Sequence, residues 1–184
     1  YGLDCQPYNT RDESTTWEQC TLRSWLNEEF YNRAFSSDEK KRIVKSNVSA
    51  DENPEYSTNP GRTTKDNVFL LSVVEALEYF ESDEARMCAA TDYVIQCGAF
   101  RSDNYKVGSR GAYWWWLRSP GYDCNYAAYV ESDGSIYNFI VYSGRFAVRP
   151  CVRVRLADIS QYIRDDFTRF SESAKNSEPQ EYSV

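Results

Sequence analysis

"WWWLRSPGYDCNYAAYV", residues 114–130, sets three consecutive tryptophans against a stretch of Tyr, Asn, Asp and Cys. Side chains of an extended backbone alternate between the two faces of a sheet, so Trp114 and Trp116 share one side and Trp115 takes the other. The run "GAYWWWLRS", residues 111–119, is dense in aromatic and β-favouring residues and stops at the turn signal Pro120-Gly121. It reads as a strand with at least one deeply packed side. The tryptophans then fix a rigid platform, and the polar-aromatic segment after them is displayed on it.

C-terminal to this strand, "AAYVESDGSIYNF", residues 127–139, is interrupted by Asp133-Gly134, a pair suited to a two-residue type I′ hairpin. Ser143-Gly144 marks another turn. A last strand is expected in "VRPCVRVRL", residues 148–156, with Val148, Val152, Val154 and Leu156 on one face and Arg149, Arg153 and Arg155 on the other. Pro150 cannot donate to a ladder, which points to an edge or a bulge.

The N-terminal part is helical in pattern. In "TTWEQCTLRSWLNEEFYNRAF", residues 15–35, Leu22, Trp25, Leu26, Phe30 and Ala34 recur at helical spacing, and Thr15 with Glu18 or Thr16 with Gln19 offers a capping box. Ser36 and Glu39 start a second, shorter helix. Residues 46–66, with Asn-Pro twice and Pro-Gly once, read as a long surface loop. Val68–Leu71 reads as a short buried strand. It runs into a helix capped by Ser72 and Glu75 that carries Val73, Val74, Leu77 and Phe80 inward. A further short helix spans Thr91 to Cys97, with Gly98 as its left-handed stop.

Helices first and small strands later predict an α+β chain: N-terminal helices packed on a small, twisted, mostly antiparallel sheet with long loops. The domain is expected over residues 1–157. Residues 158–184 are expected as a C-terminal helix and disordered tail, with Ile159, Tyr162, Ile163, Phe167 and Phe170 at helical spacing and a polar end. That helix is suited to docking on the domain or to forming a homo-oligomer.

Charge and composition narrow the function. A formal net charge of −7 repels phosphate backbones, so nucleic acid is not expected as a partner. Membrane insertion is not expected either, since no run of about 18 apolar residues is present, and the first ten residues lack the pattern of a signal peptide. The six cysteines, none in a CxxC pair, admit two readings, disulfides of an exported protein or small buried hydrophobes with an incidental surface thiol.

There is no histidine, which removes the usual general base, Ser-His and Cys-His nucleophile pairs and histidine-ligated zinc. The carboxylate pairs Glu28-Glu29, Asp83-Glu84 and Asp165-Asp166 sit in helical or polar runs and read as solvated surface. "KVGSRGAY" lacks the spacing of a P-loop, and no EF-hand spacing occurs. The chain is therefore not expected to be an enzyme, and neither a cofactor nor a metal is expected.

Aromatics make up 16% of the chain, with 15 tyrosines, more than a plain core requires. The excess concentrates between Tyr122 and Phe146. Tyr offers large contact area at low entropic cost, and Ser, Asn and Gly adapt their hydrogen bonds, which is a paratope's composition. The alternative is that these rings simply cover the sheet.

The blocks "WWWLRSPG", "AAYVESDGSIY" and "VRPCVRV", with "YGLDCQPYNT", "TLRSWLNEEF" and "DNVFLLSVVEA" upstream, resemble an uncharacterised bacterial domain family over residues 1–156. The order of a Trp-rich strand, an irregular hairpin and a closing V-R-P strand is also similar to the C-type-lectin-like fold. That fold is shared by formylglycine-generating enzymes and by the variable proteins of diversity-generating retroelements. The second likeness implies a ligand-binding face built from Tyr122, Asp123, Asn125, Tyr126, Tyr129, Tyr137, Phe139, Tyr142, Ser143, Arg145 and Phe146. Cys124 would be one more variable outcome.

The partner so implied is a protein or glycan, and a cell-surface, secreted or phage-particle address is expected over a cytoplasmic one. Glu52-Asn53-Pro54 has the wrong order for a calcium-binding lectin triplet, and no W-N-D occurs. Sugar binding through Ca²⁺ is not expected. The runner-up is a thiol- or copper-dependent oxidase like the formylglycine-generating enzymes, although Cys124 and Cys151 do not map onto their paired cysteines.

Overall fold

The computed structural model describes residues 1–155; the helix expected from Ile159 to Phe170 and the tail after it lie outside the described residues. Strand β1 (Asp4–Cys5) comes first. A helical stretch follows: α1 (Thr21–Trp25), one π-helical turn (Leu26–Phe30) and α2 (Tyr31–Ala34). Leu22 and Leu26 drive its inner face into the core, whereas Ala34 stays exposed. Its cap differs from the sequence reading. Thr15 and Thr16 lie in the approach, and the Cys20 thiol caps α1 by accepting from the Arg23 N–H.

Helix α3 (Ser37–Arg42) has the expected capping box of Ser36 and Glu39. The stretch read as a loop holds a two-stranded sheet, β2 (Ser46–Val48) against β3 (Thr64–Asp66). Tertiary contacts the turn residues cannot announce pull it inward, because Asp66, fully buried, accepts from Trp17 Nε1 at 3.0 Å, Thr64 Oγ1 at 2.6 Å and Arg23 Nε at 2.8 Å. Val68–Leu71 is buried as expected, though only Phe69 forms a bridge, to Cys151.

Helix α4 (Val73–Tyr79) carries the predicted Ser72–Glu75 capping box. Only Val73 of the residues expected inward is fully buried. Val74 and Leu77 are exposed and Phe80 is half-buried, because the face α4 turns inward is that of Val73, Glu75 and Ala76. Helix α5 (Asp83–Arg86) and helix α6 (Asp92–Gln96) follow, α6 with Thr91 as cap and Gly98 at φ 73° as its stop. Strand β4 (Arg101–Val107) pairs with β5 (Arg110–Tyr113) as a separate ribbon.

The main sheet has five strands in the order β1-β9-β6-β7-β8, with β6 (Trp115–Pro120), β7 (Tyr126–Val130), β8 (Ile136–Ile140) and β9 (Ala147–Val148). Pairing is antiparallel except between β6 and β9, so the sheet is mixed but mostly antiparallel. Alternation along β6 holds as read. Trp114 and Trp116 join one cluster with Leu22, Leu26 and Phe146, while Trp115 joins a second with Val73, Leu117 and Val130 on the opposite face. Both faces of the sheet are covered.

Two further expectations change, one of a turn and one of a strand. The β7–β8 connection has three residues, Ser132–Gly134, closed by Glu131 N–H to Ser135 O at 2.9 Å and Gly134 N–H to Glu131 O at 3.0 Å. Gly134 sits at φ 88° and, among the described residues, no non-glycine has positive φ, which rules out a type I′ pair and fits a type I turn with a glycine bulge. The final strand is broken too. Only Ala147 and Val148 form β9, and beyond Pro150 the chain makes isolated bridges from Cys151 to Phe69 and from Val154 to Ile43.

Candidate functional site

The aromatic segment divides into an interior and an exterior set. Phe146 is fully buried and stacks on Trp116 with ring centres 3.8 Å apart. Tyr129, on the central strand β7, is 5% exposed and stacks on Trp114 at 4.9 Å. Phe139 is half-buried and packs edge-on to Tyr129 and Phe100. Of the residues expected on a ligand-binding face, Tyr129 and Phe146 thus lie in the interior and Phe139 lies half within it. Period-two alternation turns Tyr129 and Phe139 onto the face that the N-terminal helices cover, and Phe146 enters the core as the chain returns to β9. Burial and the nearby Glu131 carboxylate push the Tyr129 phenol well above its ordinary titration range.

Tyr122, Tyr137 and Tyr142 stand out from the fold, with 55%, 54% and 48% of their surface exposed. The loop before β7 holds Tyr122, Asp123, Cys124 and Asn125. It is fixed by Cys124 N–H to Asp123 Oδ1 at 2.7 Å, Thr15 N–H to Cys124 O at 3.0 Å and Asn125 Nδ2 to Asp12 Oδ1 at 2.9 Å. Tyr122 leans on Tyr126 at 4.5 Å and meets Tyr56 edge-on at 6.5 Å, and the Tyr56 hydroxyl accepts from Asn138 Nδ2 at 3.1 Å. Gly121 permits this crowding, since a Cβ there would lie 2.6 Å from that of Tyr126 and 2.7 Å from that of Asn138.

Tyr142 and Ser143 follow Val141, whose N–H donates to Asn125 O at 3.0 Å, so they share the Asn125 end of the sheet. Tyr137 sits near the opposite end, beside the hairpin turn. Arg145 lies apart from both, over the Phe100 ring at 4.1 Å and donating to Gly98 O at 3.0 Å. The outward-facing predicted residues therefore comprise Tyr122–Tyr126 with Tyr142 toward the same end of the sheet, a second position at Tyr137, and an outlier at Arg145.

Sequence reasoning missed the neighbours that make a concavity. A cleft of about 470 Å³ opens between the Asn53–Tyr56 turn, α4, Arg86 and the start of β8, lined by Tyr56, Val73, Leu77, Ile136 and Tyr137. Tyr56 is the sole aromatic in residues 46–66, the one signal that could have singled it out. The turn that carries it is anchored from below. Asn53 Nδ2 donates to Pro120 O at 2.8 Å, and the buried Arg118 guanidinium donates to Ser49 O at 3.1 Å, Asp51 Oδ2 at 2.7 Å, Leu70 O at 2.9 Å and the Glu75 carboxylate. At the cleft's other wall, Arg86 is held by Gly134 O at 2.9 Å and by Asp83.

All six cysteines are free thiols. Burial pushes the Cys20 thiol up to about 12 and the Cys5 and Cys151 thiols up to about 11. Cys97 and Cys124 are exposed. Among the described residues no group of three or more His, Cys, Asp or Glu is placed to hold a metal ion, and no helix is long and apolar enough to cross a membrane.

Taken together, these features define a mixed α+β domain with a curled, mostly antiparallel sheet whose aromatic hairpin is half core and half display. The domain of unknown function DUF6273 matches residues 1–156, and the chain belongs to that family. Neither a curated protein nor a solved structure matches the chain.

Proposed function

We propose that this domain is a recognition module that binds a protein or glycan through the outward rings of its C-terminal hairpin region, and that it is not an enzyme. The reading rests chiefly on one observation, that within a single aromatic-rich segment Trp115, Trp116 and Phe146 are sealed inside while Tyr122, Tyr137 and Tyr142 protrude. Rings carried by β8 and by the loops at its ends and before β7, with Asp123, Asn125, Tyr126 and Ser143 beside them, have few torsions to lose on binding. The finer proposal is a C-type-lectin-like variable protein of a diversity-generating retroelement, in which the loop before β7 and the exposed positions of β8 and the turn after it carry the variation. Its address would then be a cell surface, the medium or a phage particle.

The test compares two sets of substitutions. Tyr122, Tyr137 and Tyr142 changed to Ser are expected to alter ligand binding and to leave stability within about 0.5 kcal/mol per site. Trp116→Ala, which strips the ring stacked on Phe146, is expected to cost about 3 to 5 kcal/mol. Equal destabilisation by both sets would make the tyrosines core and end the proposal. For the retroelement reading, the expected finding is a neighbouring reverse transcriptase gene with a template copy differing at adenines.

A thiol- or copper-dependent oxidase is the second reading, favoured by one observation, the exposure of Cys124 within the displayed loop. Copper titration of the reduced protein tests it, and absence of binding removes it.

A further inference from the structure

The outer edge of β8 is an unpaired strand edge beside the cleft. Residues of β8 pair with β7 in unbroken register from Tyr126↔Ile140 to Val130↔Ile136. Backbone bonds at Glu131–Ser135 and Asn125–Val141 bracket that ladder. Antiparallel pairs alternate between bonded and non-bonded, so these two brackets place Ile136, Asn138 and Ile140 in non-bonded pairs, with their N–H groups directed away from β7. Ile140 O accepts from Ser143 N–H at 3.4 Å. Among the described residues the N–H and C=O groups of Ile136 and Asn138 and the N–H of Ile140 have no backbone partner.

Natural edge strands are commonly blunted by Lys, Pro or a bulge. "IYNFI", residues 136–140, contains neither residue type and its register shows no bulge. Ile136 and Tyr137 line the 470 Å³ cleft. Carboxylates outnumber cations here, with Glu55 and Asp83 against Arg86 in the cleft lining and Glu131 and Asp133 in the hairpin turn. Glu55, Glu131 and Asp133 form no ion pair among the described residues, and the cleft's single cation, Arg86, is already bound to Asp83 and Gly134 O. Burial and the neighbouring Asp133 push the Glu131 carboxyl above the usual carboxylate range, a tension that an added cation would relieve.

Resting on the recognition role proposed above, we infer that β8 takes an extended, basic peptide segment as a sixth strand of the main sheet. Its backbone pairs with Ile136 and Asn138. Alternate side chains enter the cleft beside Leu77 and cross the Tyr137 ring, and its cations face Glu55, Glu131 and Asp133.

The probe is a phage-displayed library of random linear dodecapeptides, selected on the full chain. Asn138→Pro removes one outward N–H and projects a ring from the edge without breaking a β7–β8 bond, while Asn138→Ala removes the side chain and keeps the N–H. Selected peptides are expected to be rich in Lys and Arg. They should bind Asn138→Pro at least tenfold more weakly than Asn138→Ala, which shares its loss of the Tyr56 hydrogen bond, and weaken as salt rises. Melting temperature checks that the proline variant is folded, and amide exchange at Ile136 and Asn138 in the wild type, slowed by bound peptide, reads the same contact without any variant.

Equal binding to Asn138→Pro together with unprotected amides overturns the strand-addition proposal. If those peptides are lost on Tyr122→Ser or Tyr137→Ser instead, the recognition role stands and only the edge proposal falls. A glycan array that binds in a Tyr137-dependent, proline-insensitive manner has the same meaning. A library and array that both yield nothing dependent on β8 or the tyrosines overturn both.

Discussion

Replacing Arg118 by Met tests whether the cleft's wall is built on a buried charge. The guanidinium, with a side chain 2% exposed, serves Ser49 O, Ser49 Oγ, Asp51, Leu70 O and Glu75. Two of those partners, Ser49 and Asp51, reach solvent and can be rehydrated once the Arg is gone. The buried ones cannot. Leu70 O loses a donor, at about 1 to 3 kcal/mol, and among the described residues Glu75 keeps its charge with Ser72 N–H at 3.1 Å and the distant Arg153 at 3.8 Å. Stranding one member of a buried pair costs about 3 to 5 kcal/mol.

The remaining bonds to Glu75 offset part of the combined loss, so Arg118→Met should cost about 3 to 5 kcal/mol, a large share of the roughly 5 to 15 kcal/mol that domains possess. Urea unfolding at constant m-value measures it. Adding Glu75→Gln removes the stranded charge, and the double variant should recover about 1 to 3 kcal/mol relative to the sum of the singles. A loss below about 1 kcal/mol for Arg118→Met, or strict additivity with Glu75→Gln, would refute the claim that this node supports the Asn53–Tyr56 turn by charge.

Three further outcomes are expected. Gly134→Ala should destabilise by more than about 1 kcal/mol in urea melts, because φ is 88° and an added Cβ would land on the Asp83 carbonyl. In the native protein a disulfide reagent should modify Cys97 and Cys124 rapidly and Cys5 and Cys151 slowly, and should reach Cys20 and Cys88 only on unfolding; fast labelling of Cys20 would contradict its burial. Burial opposes the ionisation of Asp51, but hydrogen bonds from Ser49 and Ser72 and the Arg118 charge outweigh it and hold the carboxyl below its usual range. The stabilisation is therefore complete above about pH 4 and is lost as pH falls through the folded-state value, so Asp51→Asn should flatten the acid limb of a stability–pH curve.

Local chemistry made part of this fold legible in advance. Ser36 with Glu39, Ser72 with Glu75 and Thr91 with Gly98 announced their helices because a cap is satisfied within four residues. The tryptophan alternation across β6 followed from the pleat alone. Other readings failed where a distant partner decides. Cys20 displaced Thr15 and Thr16 as cap, Asp66 drew a turn-rich segment into a sheet, and Leu77 remained exposed at the rim of a cleft.

The candidate site shows the same division. Its composition, an excess of Tyr beside Asn, Asp and Ser, is written in the chain and needs no coordinates. Which rings point out is not, since Tyr129 and Tyr137 oppose each other across β7 and β8 with identical chemistry, yet one is roofed by Trp114 and the other stands at the open edge. Residue type and short-range periodicity fix propensity, caps and alternation. Coverage by elements far away in the chain is a property of packing, and it alone separated the sealed aromatic rings from the displayed ones and set Tyr56 beside a hairpin more than sixty residues later.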